Sequence, residues 1–545
     1  MVVCRGFLKG AALICFLAAA TGASAQNVIP AQYLAKLYTE ALGRAPDQRG
    51  WTGYVAYFAK HGCSAATLQS VSATIYNSSE FAGDVSDAET SVIALYRGAL
   101  NRDPDAASFS QYVSELESGT PLSQVVASVL TSTEFLGNVP KYCGSNPDYL
   151  YGSQPPLTPT PGPTGYTGNE AGLQALLFCA AENKCSSPVY LAQKAVIPLT
   201  TTLQVPSNIT LTTVGNPPPQ HYTQMGRLVR AASFLGPNVQ VDAGGAVSNL
   251  WIDGQRNVLG VLGPSQYHVV SNVNVMTLGG LRTTVSQNKL IDPQGASNLI
   301  AQGAQSGTPC LSETISENLL TGYSTTHGYN TPADGMTVQC ENADIQGNQL
   351  VDMTDEGILL EGSVIVDQAS KVIGNTIVAA GNSINSPVSA DPITGNVQPA
   401  AGQYVCYSGT IIENNVFWSS PYTSFVFGIE AGSRESFAVA RDVDISCPFD
   451  GPGPIYKNNT TGTLSANVRA GIAIAGAQNV TVTNDSQHPL TFQYVQLPYQ
   501  TSGWACPGGP VITEQVVGHA SGTFPAATVN ADFDFCIAPN HIVQF

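Results

Sequence analysis

Val285-Ser286-Gln287-Asn288-Lys289-Leu290 is followed by Ile315-Ser316-Glu317-Asn318-Leu319-Leu320, and the frame aliphatic-x-x-Asn-x-aliphatic returns at Ile345-x-x-Asn348-x-Leu350, Val372-x-x-Asn375-x-Ile377 and Ile412-x-x-Asn415-x-Phe417. The asparagines are 30, 30, 27 and 40 residues apart. A repeat of this length is one structural unit stacked on the next, and its uneven period sends the extra residues into loops. Aliphatic residues pointing inward would make a continuous core. Asparagines at the corners are expected to tolerate left-handed backbone and to bond their equivalents in the next coil. A second series, Gly335-Met336-Thr337-Val338, Gly357-Ile358-Leu359-Leu360, Gly428-Ile429 and Gly471-Ile472-Ala473-Ile474, marks another strand of each coil, its first step being 22 residues.

Upstream of the repeat, Leu173, Leu176 and Leu177 predict a short amphipathic helix. The strand-like pieces Val189-Tyr190-Leu191 and Leu203 to Leu211 follow. This order resembles the opening coils of the pectin-lyase-like right-handed parallel β-helix superfamily, in which a helix capping the first coil is common. The resemblance spans roughly residues 172–480 and implies a large all-β domain, placed at 169–484. Residues 485–545, where the periodicity fades, are expected to form a C-terminal cap or small β segment that blocks an exposed strand edge.

Between residues 31 and 143 a different segment occurs twice. Leu37-Tyr38, Leu42-Gly43-Arg44-Ala45-Pro46-Asp47 and Ser79-Glu80-Phe81 return as Leu95-Tyr96, Leu100-Asn101-Arg102-Asp103-Pro104-Asp105 and Thr133-Glu134-Phe135. Apolar spacings of three and four predict helices, about three per copy. The Arg-x-Pro-Asp step should end the first, since proline disfavours helical geometry before it and aspartate caps the next helix. The segment resembles a domain of unknown function with an LYxxxLGRxPDxxG start and an SxEF end, which recurs in exported bacterial surface proteins. Asn101 departs from its glycine. Arg44 and Arg102 are expected to pair with a nearby Asp and lock the turn, the alternative being a grip on a ligand carboxylate. Prolines 155, 156, 159, 161 and 163 make residues 144–168 a semi-rigid Pro/Thr/Gly linker. The expected architecture is two-domain: a small all-α N-terminal module, then a right-handed parallel β-helix.

Residues 1–25 carry two early positive charges, an apolar run from Ala11 to Ala20 and the ending Ala23-Ser24-Ala25. They read as a secretory signal cut near Ala25/Gln26, which makes the protein secreted, whether periplasmic, extracellular or at the cell surface. No later stretch is long and apolar enough to span a membrane. The ten remaining cysteines suit an oxidising compartment, and pairing neighbour with neighbour gives Cys63–Cys143, Cys179–Cys185, Cys310–Cys340, Cys406–Cys447 and Cys506–Cys536. Zinc-type spacing is absent. Only 11% of the 545 residues are charged and the net charge is −17, which argues against nucleic-acid or anionic-membrane binding.

Against that background Asp334, Glu341, Asp344, Asp352, Asp355, Glu356, Glu361 and Asp367 fall within one segment without Lys or Arg. Aligning Asp334-Gly335 on Glu356-Gly357 puts the two acids on successive coils, ~4.8 Å apart at the backbone. Such a pair suits acid/base chemistry on a glycosidic bond, with Asp355 the next candidate and His327 assisting. Asp334, Glu356 and Asp352 could equally ligate Ca2+. Stacked acids on a solvated face are the structural alternative. Pectate-lyase-like relatives combine Ca2+ with a basic residue, for which only Arg282, Lys289 and Lys371 lie near. Polygalacturonase-like relatives carry Gly-His-Gly and Arg-Ile-Lys signatures that are absent, and Thr354-Asp355-Glu356-Gly357 matches their double-Asp element only loosely. A polysaccharide or cell-surface glycan is the expected partner. Two readings follow: a polysaccharide glycoside hydrolase or lyase, and a non-catalytic adhesion or glycan-binding protein whose helical module docks to an envelope partner.

Overall fold

The computed structural model describes residues 29–144, 157–231, 234, 236–255, 276–293, 297–302, 310–321, 334–353, 356–361, 369–380, 386–391 and 410–419, with strands between 427 and 544. Residues 1–25, the expected export signal, lie outside them. No described helix is long and apolar enough to cross a membrane.

Each helical copy contains four helices, not three. The first has α1 (Ala31–Lys36), which runs on as a π-helical turn (Leu37–Ala41), then α2 (Gln48–His61), α3 (Ala65–Tyr76) and α4 (Ser79–Asp84). The second has α5 (Ala88–Leu100), α6 (Ala106–Glu117), α7 (Leu122–Leu130) and α8 (Thr133–Tyr142). The extra helix is the Ser-x-Glu-Phe motif itself, because Ser78 and Ser132 each cap it, accepting from the amides of Phe81 and Phe135. Asp47 and Asp105 cap α2 and α6 as the Arg-x-Pro-Asp step predicts, at 2.7 and 2.9 Å from the Gly50 and Ser108 nitrogens. Gly43 and Asn101 turn the chain into each step with φ of 58° and 57°, so asparagine does the glycine's work in the second copy. Tyr33, Trp51, Phe58, Phe81 and Phe135 fill the core the copies share, and Cys63–Cys143 ties it across 80 residues of chain.

Arg44 does pair with Asp47, at 3.2 Å, but its main partner is Glu80: Nε and Nη2 donate to Oε1 and Oε2 at 2.5 and 3.1 Å. Arg102 grips Glu134 likewise at 2.6 and 2.7 Å. The two ends of the family pattern are therefore the two halves of one forked ion pair.

The β domain opens with α9 (Glu170–Ala181), whose Leu173, Leu177 and Ala180 seal the first coil; Cys179 and Cys185 are bonded at its end. Every third strand joins the same sheet. Nine strands from Val189–Leu191 to Ile455–Lys457 make the first sheet; the second starts at Val196–Leu199 and the third at Leu203–Val205. The coils pair in parallel throughout, an arrangement consistent with a right-handed β-helix. The described strands after residue 485 are antiparallel: Phe533–Ile537 covers the edge of the last coil strand of the third sheet and is itself followed by Leu490–Pro498 and Val511–Val516, while Val543–Gln544 ends the second sheet.

Asn288, Asn318, Asn348, Asn375 and Asn415 form a fully buried ladder. Each Nδ2 donates to the next Oδ1 at 2.9–3.0 Å. The same Oδ1 accepts the preceding asparagine's amide, and Nδ2 also reaches a strand carbonyl of the coil before. The left-handed residues are not these asparagines but their predecessors, Gln287, Glu317, Gly347, Gly374 and Asn414, with φ between 54° and 65°. That turn drives the next side chain into the corner, where its amide replaces missing sheet hydrogen bonds.

The helical module lies on the outer face of the second sheet. Val351, Val378 and Trp418 of that sheet, with Ala380 just after one of its strands, belong to the module's apolar cluster. Gln349 accepts from the Ala45 amide at 2.6 Å. Residues 157–166 do not stand off as a spacer: the Leu157 and Thr160 amides donate to Asp103 and Glu89, while those of Gly162 and Tyr166 donate to the first coil.

Candidate functional site

The third sheet carries the row that matters for the acids. Its strands Ser297–Ala301, Asp334–Val338 and Glu356–Glu361 are in register through Leu299, Met336 and Ile358. That register sets Ser297 beside Asp334 and carries on to place Asp334 beside Glu356, with Ser386 next. Glycine follows each acid for a packing reason. A β carbon at Gly335 would run into Leu350 and the Gly357 carbonyl. Asp334 and Glu356 are 8% and 7% exposed, so this row is covered rather than spread on a solvated face. The Asp334 carboxylate accepts from Thr337 Oγ1 at 2.7 Å and from Ser297 Oγ at 3.4 Å.

The other acids part company from this pair. Asp344 stands on the first sheet beside Lys371, and Glu341 makes a bridge with Leu311 next to that sheet. Asp352 turns the chain after the second-sheet strand Gln349–Val351 with φ 67°, and its Oδ2 accepts from Gln32 of α1 at 3.1 Å. Asp334, Glu356 and Asp352 do not form a three-ligand group; among the described residues such a group is made by Cys310, Glu313 and Cys340, and there the two sulfurs are bonded to each other. Asp355, His327 and Asp367 lie outside the described residues, as do both sulfurs of Cys406–Cys447 and Cys506. Trp418 of the second sheet is buried against the helical module.

None of the basic residues near the acids reaches this row. Arg282 and Lys371 are exposed beside or on the first sheet, and Lys289 is fully buried under the module. It belongs to a charge cluster that the sequence does not announce. Lys289 Nζ donates to Glu40 Oε2 at 2.8 Å and sits 3.2 Å from the centre of the Tyr222 ring. Arg97 donates to the same Glu40 oxygen at 2.8 Å and to Asp103 at 3.0 Å. Arg227 joins Asp103 to Asp253 at 2.7 and 2.6 Å and stacks 3.8 Å over Trp251. Three cations and three carboxylates thus alternate across the seam between module and β-helix. Burial raises the cost of the Glu40 charge, yet Arg97 and Lys289 outweigh it and hold that carboxyl well below its usual range. Burial, with Arg97 adding to it against the pull of Glu40, brings Lys289 down to about 7.

A second buried acid, Glu313, is fixed in the wall of the β core beside Cys310–Cys340. Its Oε2 accepts the Thr283 amide at 2.9 Å, while burial pushes its carboxyl up to about 8. It is a neutral structural acid at pH 7.

The model of a domain of unknown function, DUF4214, matches residues 72–139, which hold the end of the first helical copy and the second as far as its last helix. No curated protein matches the sequence. Among solved structures, the Dettilon tailspike protein (gp208) aligns over 66% of this chain and 74% of its own at 11% identity, TM-score 0.32. Endo-xylogalacturonan hydrolase from Aspergillus tubingensis aligns over 58% and 91% at 14% identity, TM-score 0.31. The tailspike protein of E. coli bacteriophage HK620, in complex with pentasaccharide, aligns over 71% and 91% at 11% identity, TM-score 0.28. Such identities and scores transfer no residue roles.

Proposed function

We propose that this chain is an exported protein acting on a neutral polysaccharide, with Asp334 and Glu356 on adjacent coils of the third sheet as its carboxylate pair. The observation that supports this most is their shared register in a chain where charge is otherwise scarce. Three disulfides support the oxidising compartment. Neighbouring strands stand ~4.8 Å apart, close to the ~5–5.5 Å carboxyl separation of a retaining glycosidase. In this reading Asp334, which receives the Thr337 and Ser297 hydroxyls, serves as the ionised nucleophile. Glu356 protonates the leaving oxygen and then activates water. Asp355 and His327 are proposed as assisting groups. A Ca2+ bridging the pair would use Asp334 and Glu356 without Asp352, whose carboxylate is engaged by Gln32.

Asp334→Asn and Glu356→Gln should each lower turnover on a responsive glycan by about 100-fold or more, read as new reducing ends. Unchanged turnover in both variants sinks the assignment. The near-complete cover over both carboxylates favours a second reading, a glycan-binding surface protein without turnover. Intact glycan after long incubation, together with measurable binding, would select it; unsaturated products would instead select a lyase.

A further inference from the structure

The helical module holds a cleft of about 560 Å³ that the acid row does not involve. This lies within the roughly 300–1,000 Å³ of small-ligand sites. Its floor is Tyr38, Leu42, Val71 and Ile75, and its walls are the Tyr54 and Tyr57 rings of α2 facing Ser70 and Thr74 of α3. At its mouth the Arg44–Glu80–Asp47 fork meets Arg49, which has no acidic partner among the described residues. Two guanidiniums and two carboxylates balance, so the cleft is polar without net charge.

The duplication supplies a comparison inside the chain. The second copy keeps Tyr96, Leu100, Arg102, Asp105, Tyr112 and Glu134, the residues that build the scaffold. It changes those that line only the cleft: Arg49, Gly53, Tyr57 and Ser70 become Ala107, Gln111, Glu115 and Gln124. There Gln111 donates to Glu115 at 2.9 Å, so the two side chains satisfy each other across one helical turn. In the first copy, a β carbon added to Gly53 would meet nothing within 4 Å. The scaffold is therefore held in both copies, while open space and a third tyrosine appear in one.

We infer that this cleft of the first helical copy is a saccharide subsite, binding a short run of neutral sugar rings. The Tyr54 and Tyr57 rings offer apolar faces to the C–H faces of the sugars. Arg49, the hydroxyls of Ser70 and Thr74 and the outer edges of the Asp47–Arg44–Glu80 fork supply donors and acceptors for vicinal hydroxyls. The inference rests on the carbohydrate reading above and extends it, because the module is packed onto the β-helix and two sites on one rigid body would hold one polymer by avidity.

The test grafts the second copy's residues onto the first in the full chain. Gly53→Gln with Tyr57→Glu, and Gly53→Gln alone as the milder variant, are titrated with maltohexaose, cellohexaose and xylohexaose by calorimetry and saturation-transfer NMR. The double variant should weaken the best hexasaccharide at least tenfold with an unchanged melting temperature, and Asp334→Asn/Glu356→Gln should retain the cleft's signals. Wild-type affinity in both grafts overturns the subsite and leaves the β-helix reading standing. Absence of binding by the parent protein to any of these and to the wider glycan panel overturns both.

Discussion

At Gly43 two demands meet. Its φ of 58° asks for glycine or asparagine, and the second copy answers with Asn101. A β carbon at Gly43, however, would run into the Pro219 carbonyl and the Gln220 backbone of the β-helix, so only the first copy is bound to glycine. Gly43→Asn should cost about 1–3 kcal/mol in thermal or urea unfolding, whereas Asn101→Gly should stay within about 0.5 kcal/mol. Glu313 makes a pH-dependent statement of the same kind. Its folded pKa, about 8, exceeds the ordinary 4.5, so its contribution is complete below pH ~4.5 and is lost as pH rises through 8. Glu313→Gln keeps an acceptor for the Thr283 amide and should flatten that fall, stabilising the protein at pH 8 by on the order of 3 kcal/mol. Equal pH–stability slopes in both proteins would remove Glu313 as the cause. Sequence reading found the capping aspartates, whose partners lie three residues away. It missed that Arg44 chiefly holds Glu80, because a partner 36 residues on is invisible to local spacing.

The coil is the element that the sequence showed best, since each one repeats the same buried side chain at the same corner. Even so, the left-handed turn falls one residue earlier than the repeat suggested, a detail that resides in φ and not in residue type. Asn348 touches three coils through its bonds to Asn318, Asn375 and the Ile315 carbonyl. Asn348→Ala strands those groups inside the core and should cost about 2–4 kcal/mol, at ~1–3 kcal/mol for each unsatisfied group. Denaturant unfolding against the parent protein measures this. The acids show the opposite limit. The eight carboxylates are close in sequence, but a coil turns through three faces, so among the described ones Asp344 falls on the first sheet, Asp352 at the end of a second-sheet strand and Asp334, Glu356 and Glu361 on the third. Only the pair separated by one whole coil stays together, and the 22-residue step between their glycines was the signal.

Across the whole molecule the decisive contact was not legible at all. Arg97 and Asp103 lie six residues apart, but Glu40, Arg227, Asp253 and Lys289 each come from a separate stretch of chain, and nothing in their local spacing links them. A lysine at the outward position of a strand otherwise flanked by Trp251 and Leu319 was the available clue. Glu40→Gln leaves Arg97 and Lys289 facing each other without their shared counter-charge, and should cost about 3–5 kcal/mol. Limited proteolysis of the helical module should then run faster than in the parent protein; an unchanged rate would mean that the apolar contacts alone fasten the module. The asparagine ladder carries a consequence of a different order. One side chain keys each coil to the next whether the asparagines are 27, 30 or 40 residues apart, so the loops between the strands of a coil can change in length without shifting the ladder. Selection, or an engineer grafting loops, can therefore rewrite what the outside of this molecule recognises one coil at a time.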